Sequence, residues 1–214
     1  MNIERVISHW TTNTYYIESN GESVIIDASD IAIKEFVAIR PKNIIITHGH
    51  VDHIEVLKDL RNEYQCDVVI QEEGQLMLTD SMMNTSGFFP QFKTISCKEA
   101  EVVFKGKEFS FKIGEREFKT IHTPGHSPDS SIFYCEEEKL LIAGDLIFEN
   151  SIGRSDFMDS NTEEHLKNVL RVLEFFDDDY TVLPGHGNPF VLGKAKKDII
   201  NVVNWVANQE QIIL

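Results

Sequence analysis

At 214 residues, with 42% apolar and 26% charged residues, the chain is long enough for one substantial domain with a buried core, too short for two ordinary ones, and too apolar for disorder. Its formal net charge of −15 argues against a nucleic-acid partner, because phosphate binding needs a Lys/Arg-rich face. No apolar run nears the roughly 20 residues that span a bilayer, and Met1–Val6 shows no basic segment leading into an apolar one, so neither a membrane partner nor a secretory signal is expected.

The N-terminal part reads as strands. Thr14–Ile17 and Ser23–Ile26 flank Asn20-Gly21, a hairpin signal because both turn residues tolerate positive φ. Asp30 is placed to cap a short helix over Ile33, Phe36 and Val37, which Pro41 stops. Asn43–Thr47 is a continuous run rich in β-branched residues, the pattern of a strand buried on both faces. Next come a helix near Ile54–Leu60, a strand over Asp67–Ile70, a helix near Glu72–Thr79, and a loop over Asp80–Pro90.

From about Val102 the period shifts to two. Glu108–Ile113 and Glu117–Ile121 form a second hairpin around Gly114-Glu115, and Ser131–Cys135 and Lys139–Ala143 are further strands. Leu166, Val169, Leu170 and Leu173 form a helical stripe behind the cap-rich cluster Ser160–Glu164. A strand over Tyr180–Leu183 and a helix over Ile199, Val203 and Val206 close the chain. No linker or repeat interrupts it, so one α/β domain over residues 1–214 is expected. Cys66, Cys97 and Cys135 are too scattered for a disulfide framework or a Cys-x-x-Cys metal clip, and read as buried or semi-buried thiols of a cytoplasmic protein.

The chemical signal is concentrated in Thr47-His48-Gly49-His50-Val51-Asp52-His53, where four metal-capable side chains follow a buried strand at once. Imidazole and carboxylate are costly to bury without partners, so such density points to a metal site rather than to packing. Three weaker signals lie downstream: Thr123-Pro124-Gly125-His126, Ala143-Gly144-Asp145, and Pro184-Gly185-His186-Gly187. Each puts a His or Asp just past the end of a strand, the edge at which α/β folds gather their sites.

The set Asp27, His48/His50/Asp52/His53, His126, Asp145 and His186 resembles the pattern of the metallo-β-lactamase superfamily, in order and in spacing, over nearly the whole chain. The resemblance implies a four-layer αβ/βα sandwich. It assigns His48, His50 and His126 to one divalent metal and Asp52, His53 and His186 to a second, with Asp145 between them. The implied cofactors are two zinc ions, with iron or manganese as alternatives. Asp27 would support the ligands from behind, or only cap the next turn. Asp145 stands where the thiolate-using lactamases carry Cys.

Within the superfamily, Asp145–Phe148 and Ser151–Phe157 resemble the short form of glyoxalase II-like hydrolases. That resemblance implies hydrolysis of a thioester such as an S-acyl glutathione. A hydroxide shared by the two metals would attack the carbonyl, with Asp52 and Asp145 as catalytic residues that orient it, and a thiolate would leave. Two features depart from the pattern: Asp159-Ser160 replaces a Gly-Gly pair, and Ala195 stands where an acidic residue is common. The chain also ends about where the glutathione-binding helical domain of full-length glyoxalase II begins.

Persulfide dioxygenases share the segment Gly153–Phe157, and their single iron would map onto His48, His126 and Asp145. A non-catalytic metal scaffold is a third reading, against which no ligand is missing, and the acidic balance speaks against a nuclease. Arg154 has two readings, as a brace for its loop or as an anchor for a substrate carboxylate. Lys194, Lys196 and Lys197 are either a solvated helix start or a receiver of anionic substrate. Phe88, Phe89 and Phe92, with Met82 and Met83, are either a lid or core, and His122 and His165 are expected to be structural. The expected partner is a small-molecule substrate. Homodimers are common for such domains, and no interface pattern marks one here.

Overall fold

The computed structural model describes residues 1–88, 93–106 and 109–214. Six strands form the first sheet, in spatial order β1 (Asn2–Ile7), β2 (Asn13–Ser19), β3 (Glu22–Ile26), β4 (Asn43–Ile45), β5 (Asp67–Gln71) and β6 (Val102–Phe104). The first three pair antiparallel and the rest parallel. Its parallel crossovers are a 3-10 helix (Ile31–Phe36) between β3 and β4, the short helices α1 (Val51–Ile54) and α2 (Leu57–Tyr64) between β4 and β5, and α3 (Gly74–Thr79) between β5 and β6.

The second sheet contains β7 (Ser110–Ile113), β8 (Arg116–His122), β9 (Ser131–Cys135), β10 (Leu140–Gly144), β13 (Thr181–Pro184) and β14 (Phe190–Val191). Two-residue strands β11 (Ile147–Phe148) and β12 (Ser151–Ile152) pair with each other beyond β10. The long helices α4 (Thr162–Phe175) and α5 (Leu192–Glu210) pack on this sheet's outer face.

Three apolar clusters follow from the alternation of side chains along the strands. Ile17, Val24, Ile26, Ile45, Val69, Phe118, Phe133 and Ile142 fill the space between the sheets. Tyr16, Ile25, Ile44, Ile46, Val68 and Ile70 face the other way, toward α1 and α2. Leu141, Val182, Leu166, Val169, Val172, Ile199 and Val203 join α4 and α5 to the second sheet. Successive residues Ile44, Ile45 and Ile46 thus enter opposite cores, which is why β4 carries no polar alternation. The order helices–sheet–sheet–helices is the four-layer α/β sandwich expected from the sequence.

Several local expectations are refined. The turn after Asp30 is a 3-10 helix over Ile31–Phe36, with the Asp30 carboxylate accepting the Ala32 N–H at 2.9 Å. The helix expected near Ile54–Leu60 is broken at Glu55-Val56 into α1 and α2. Strand β1 and the β11–β12 pair carried no signal of their own, being short or half-exposed. Of the residues read as lid or core, Met82 and Phe88 are exposed and Met83 is half-buried, while Phe89 and Phe92 lie outside the described residues. No helix among the described residues is long and apolar enough to cross a membrane.

Strand direction is what builds the site. In the first sheet β3 and β4 run parallel; in the second, β8 and β10 each pair antiparallel with β9, and β13 is parallel to β10. Strands β8, β10 and β13 therefore end at one edge. That edge meets the ends of β3 and β4 across the sandwich, stitched by Asn13 N–H to the Gly185 carbonyl at 2.7 Å and Ser131 N–H to the Thr47 carbonyl at 3.0 Å.

Candidate metal centre

All seven side chains singled out in the sequence converge at this edge. His48 and His50 leave the loop after β4, and Asp52 and His53 stand on α1, which starts immediately after His50. His126 follows β8, Asp145 follows β10, and His186 follows β13. A register shift in the β10–β13 pairing between Ile142 and Gly144 turns the chain just before Asp145. Gly144 has φ +48°, and a Cβ there would meet Thr47 Cβ at 2.9 Å, so the two sheets approach this closely only because that residue is glycine.

His126 Nε2 lies 3.0 Å from His50 Nδ1 and 3.1 Å from His48 Nε2. A hydrogen bond satisfies one such pair at a time, whereas a tetrahedral ion with bonds of about 2.0–2.1 Å accounts for both separations together. A second triad consists of Asp52, His53 and His186. Asp52 Oδ2 is 3.2 Å from His186 Nε2 and 3.5 Å from His53 Nε2. Asp145 stands between the triads: Oδ1 is 3.4 Å from His53 Nε2, and Oδ2 is 3.3 Å from His186 Nε2 and 3.7 Å from His126 Nε2.

The two triads differ electrostatically. Burial, then neighbouring imidazoles, depress the basicity of His48, and the same forces bring His50 to about 3; burial alone leads for His126. These three rings are therefore neutral and present lone pairs, the form in which imidazole binds a metal. At His53 burial also opposes charge, but Asp52, Asp27 and Asp145 outweigh it and raise the pKa well above the usual value. His186 is raised to about 9 against burial by its bonds to Asp145 and Asp52. Asp52 and Asp145 are both held below the usual carboxylate range, burial being outweighed by His53 and His186.

The second triad is thus a cluster of anionic oxygens that draws positive charge, supplied in the cation-free chain by protons on two histidines. Among the described residues, His53 Nε2 and Asp145 Oδ1 are buried with no hydrogen bond, only the 3.4 Å contact to each other and longer ion-pair contacts. Unpaired groups of this kind are expensive in a protein interior, and a cation satisfies both at once. The donor set fits divalent metals: imidazole suits zinc and iron, while the carboxylates widen the range toward manganese.

Surrounding groups fix the ligands. The Asp27 carboxylate accepts His53 Nδ1–H at 2.8 Å and the Thr47 N–H at 2.8 Å, so it holds a ligand from behind rather than capping a turn. His126 Nδ1–H donates to the Arg154 carbonyl at 2.6 Å, and Ser160 Oγ donates to the His126 carbonyl at 2.7 Å. Two contributors escaped the sequence reading. Thr12 Oγ1 donates to Asp52 Oδ2 at 2.6 Å, and the fully buried Asp129 accepts the Gly49 N–H at 2.8 Å. Burial pushes the Asp129 carboxyl up to about 7. Thr12 carries no motif, but Asp129 had a visible signal, a lone carboxylate between the His126 turn and an apolar strand.

A cavity of about 410 Å³ opens over the centre, walled by Trp10, Phe148, Ile152 and Phe157, with Thr85 and Arg154 at its rim. The Arg154 guanidinium pairs with Asp156 at 2.6 and 2.8 Å and lies over the Phe157 ring, so it is held within its own loop by a carboxylate and a ring face. Lys196 bonds Asp178 and the Phe176 carbonyl, away from this cavity. His122 donates to the Pro128 carbonyl, and His165 is buried behind His126.

Comparison with known proteins agrees with this architecture. Residues 8–186 match the metallo-beta-lactamase superfamily. The probable metallo-hydrolase YqgX of Bacillus subtilis is 29% identical over 85% of this chain and 92% of its own. The hydroxyacylglutathione hydrolase GloC of Haemophilus influenzae is 26% identical over 73% of each chain. Among solved structures, the B3 metallo-beta-lactamase BLEG-1 superposes with a TM-score of 0.84 at 27% identity, covering 92% of this chain and 97% of that one. TTHA1623 in a di-iron-bound form gives 0.77 at 25% identity, covering 92% and 98%. With its fold, its His/Asp metal-binding cluster and its sequence in accord, the chain belongs to the metallo-beta-lactamase superfamily.

Proposed function

We propose that this metallo-hydrolase cleaves a small thioester, of which an S-acyl glutathione is the leading example, with two divalent cations held by His48, His50 and His126 and by Asp52, His53 and His186, and with Asp145 shared. The observation that carries the reading is the completeness of the second triad with Asp145 placed between both. A single-iron oxygenase needs only His48, His126 and Asp145, and gives no reason for Thr12 to hold Asp52 as it does. GloC, similar to this chain, is named for hydrolysis of hydroxyacylglutathione, and TTHA1623 has been seen with two iron ions. Zinc is the expected pair here, with iron or manganese as substitutes.

When bound, such cations supply Lewis acidity toward the substrate carbonyl and toward the attacking water. The chain's own residues do the rest. Thr12 donates to Asp52 Oδ2 at 2.6 Å and so fixes the carboxylate oxygen that faces His53 and His186. Asp145, fixed between His53 and His186, orients the water from the other side. Trp10, Phe148 and Phe157 bind the apolar part of the acyl or thiol group and exclude bulk water. Water adds to the carbonyl carbon, the C–S bond breaks, and the products are a carboxylate and a thiol. Because a thiolate leaves readily, the reaction needs no strong general acid. The reading carries with it a small-molecule partner, a cytoplasmic location, and no nucleic-acid or membrane partner.

The test is hydrolysis of S-D-lactoylglutathione by protein loaded in turn with Zn, Fe or Mn, followed as loss of thioester absorbance. Metal-dependent turnover that disappears in Asp52→Ala, with the folded state retained, is the expected result. Full activity in Asp52→Ala, or oxygen consumption with glutathione persulfide by protein holding one iron, would overturn the proposal.

A further inference from the structure

Asp129 is a fully buried carboxylate that the proposed reaction does not use. Its Oδ2 accepts the Gly49 N–H at 2.8 Å, and its Oδ1 accepts the Ser127 hydroxyl at 2.8 Å. The first bond grips the residue between His48 and His50, and the second grips the residue after His126. One side chain therefore joins the two chain segments that carry all three converging imidazoles, across the interface between the sheets.

The fit around this contact is tight. A Cβ on Gly49 would lie 3.5 Å from Asp129 Oδ2 and 2.6 Å from Met77 Cβ; a Cβ on Gly74 would lie 2.6 Å from the same Oδ2. The carboxylate sits against two glycines, and a side chain at Gly74 would displace it. Among the described residues no Lys, Arg or His forms an ion pair with it. Its bonds to Gly49 and Ser127 are thus its connection to the centre.

We infer that Asp129 is the positioning residue of the three-histidine site: it sets the spacing between His126 and the His48–His50 pair, and so the affinity of that site for its metal. The inference rests on the two-metal reading above. A group that orients ligands from behind is commonly worth 10–100-fold in metal affinity, and the loss should fall on one site only. Asn keeps an oxygen for the Gly49 N–H, and Ser127 can turn its hydroxyl to accept from the new amide, so Asp129→Asn should restore the geometry that Asp129→Ala loses.

The experiment is cobalt(II) binding by the full chain under chelator competition, with no substrate present. Native protein is expected to bind two equivalents. Asp129→Ala should weaken one by 10–100-fold and leave the other within about threefold, while Asp129→Asn stays within about threefold at both. If Asp129→Ala does not fold, Ser127→Ala carries the test, because it cuts the carboxylate's tie to the His126 turn together with the Ser127–Ser130 hydroxyl contact and leaves the bond to Gly49, and a loss confined to one equivalent is expected again. Unchanged affinities, or equal weakening of both equivalents as in a general loss of stability, would overturn the inference. Native protein that binds no cobalt would overturn the two-metal reading with it, whereas native binding of two with Asp129→Ala unaffected overturns this inference alone.

Discussion

Gly185→Ala should disable the metal centre without disturbing the fold. Gly185 does not need glycine for its backbone, since its φ is not among the positive values, and its bonds from Asn13 N–H and to the Gly144 carbonyl, both 2.7 Å, survive in alanine. What fails is space. A Cβ there would overlap Asp145 Oδ1, lie 2.9 Å from His53 Cε1 and 3.1 Å from the Gly144 carbonyl carbon. Asp145 is a short side chain held by contacts to His53, His126 and His186, so it cannot rotate away cheaply. It has to retreat by roughly an ångström, a displacement that costs on the order of 100-fold in rate when it moves a catalytic group. Overpacking adds about 1–3 kcal/mol of instability, which for a chain of this size lowers the unfolding midpoint by roughly 2–12 °C. Metal content by elemental analysis, turnover and thermal unfolding would be measured on the same preparation. Native metal content and turnover in Gly185→Ala would refute the placement of Asp145 between the two triads.

Two further predictions concern pH. His186 titrates near 9 and His53 well above its usual range in the cation-free chain, so at pH 7 protons occupy the second triad and compete with metal. Raising the pH removes the competitor: affinity at that triad should climb by about tenfold per unit for each proton displaced between pH 7 and 9, while the three-histidine triad, already neutral, stays flat. Zinc titration in unbuffered solution should release protons with one equivalent only, and a pH-independent affinity at both would contradict the assignment. On the surface, part-burial raises the Glu101 carboxyl, but Arg61, the Val68 N–H and Lys98 outweigh it and hold the group at about 2, below its ordinary 4.5. Its stabilisation is therefore full above about pH 4.5 and is lost as the pH falls toward 2. Discounted for solvent screening it amounts to about 1 kcal/mol. Glu101→Gln should melt roughly 2–4 °C lower than native protein at pH 7, with the gap narrowing at pH 3; a gap that does not narrow would contradict the pairing.

What the sequence disclosed, and what it withheld, divides along a physical line. Periodicity reports burial, so β4, with Ile44 and Ile46 in one core and Ile45 in another, was legible as a strand buried on both faces. Metal ligands report chemistry, because His and Asp in such density have no cheap packing role. Groups that act through hydrogen bonds across long chain separations left no such mark. Thr12 reaches Asp52 from 40 residues away, and His126 is oriented by a backbone carbonyl, that of Arg154, which no side-chain pattern encodes. Strand β1 was invisible because none of its residues is buried, so neither a continuous nor an alternating pattern marks it.

The same line explains why the ligands are spread along the chain. Neither sheet holds a complete triad. The three-histidine set takes His48 and His50 from the end of β4 and His126 from the end of β8; the other takes Asp52 and His53 from α1 and His186 from the end of β13. Each cation would therefore bridge the two sheets, beside the bonds from Asn13 to Gly185 and from Ser131 to Thr47 that join them directly. Metal binding and docking of the sheets are then one event in free-energy terms, because ligands that are far apart in the unfolded chain acquire their affinity only in the packed sandwich. This also accounts for the close-packed glycines at the seam. Gly144 against Thr47, Gly49 against Asp129 and Gly185 against His53 each leave out a side chain where the two halves come together to bring the donors within reach of a shared ion.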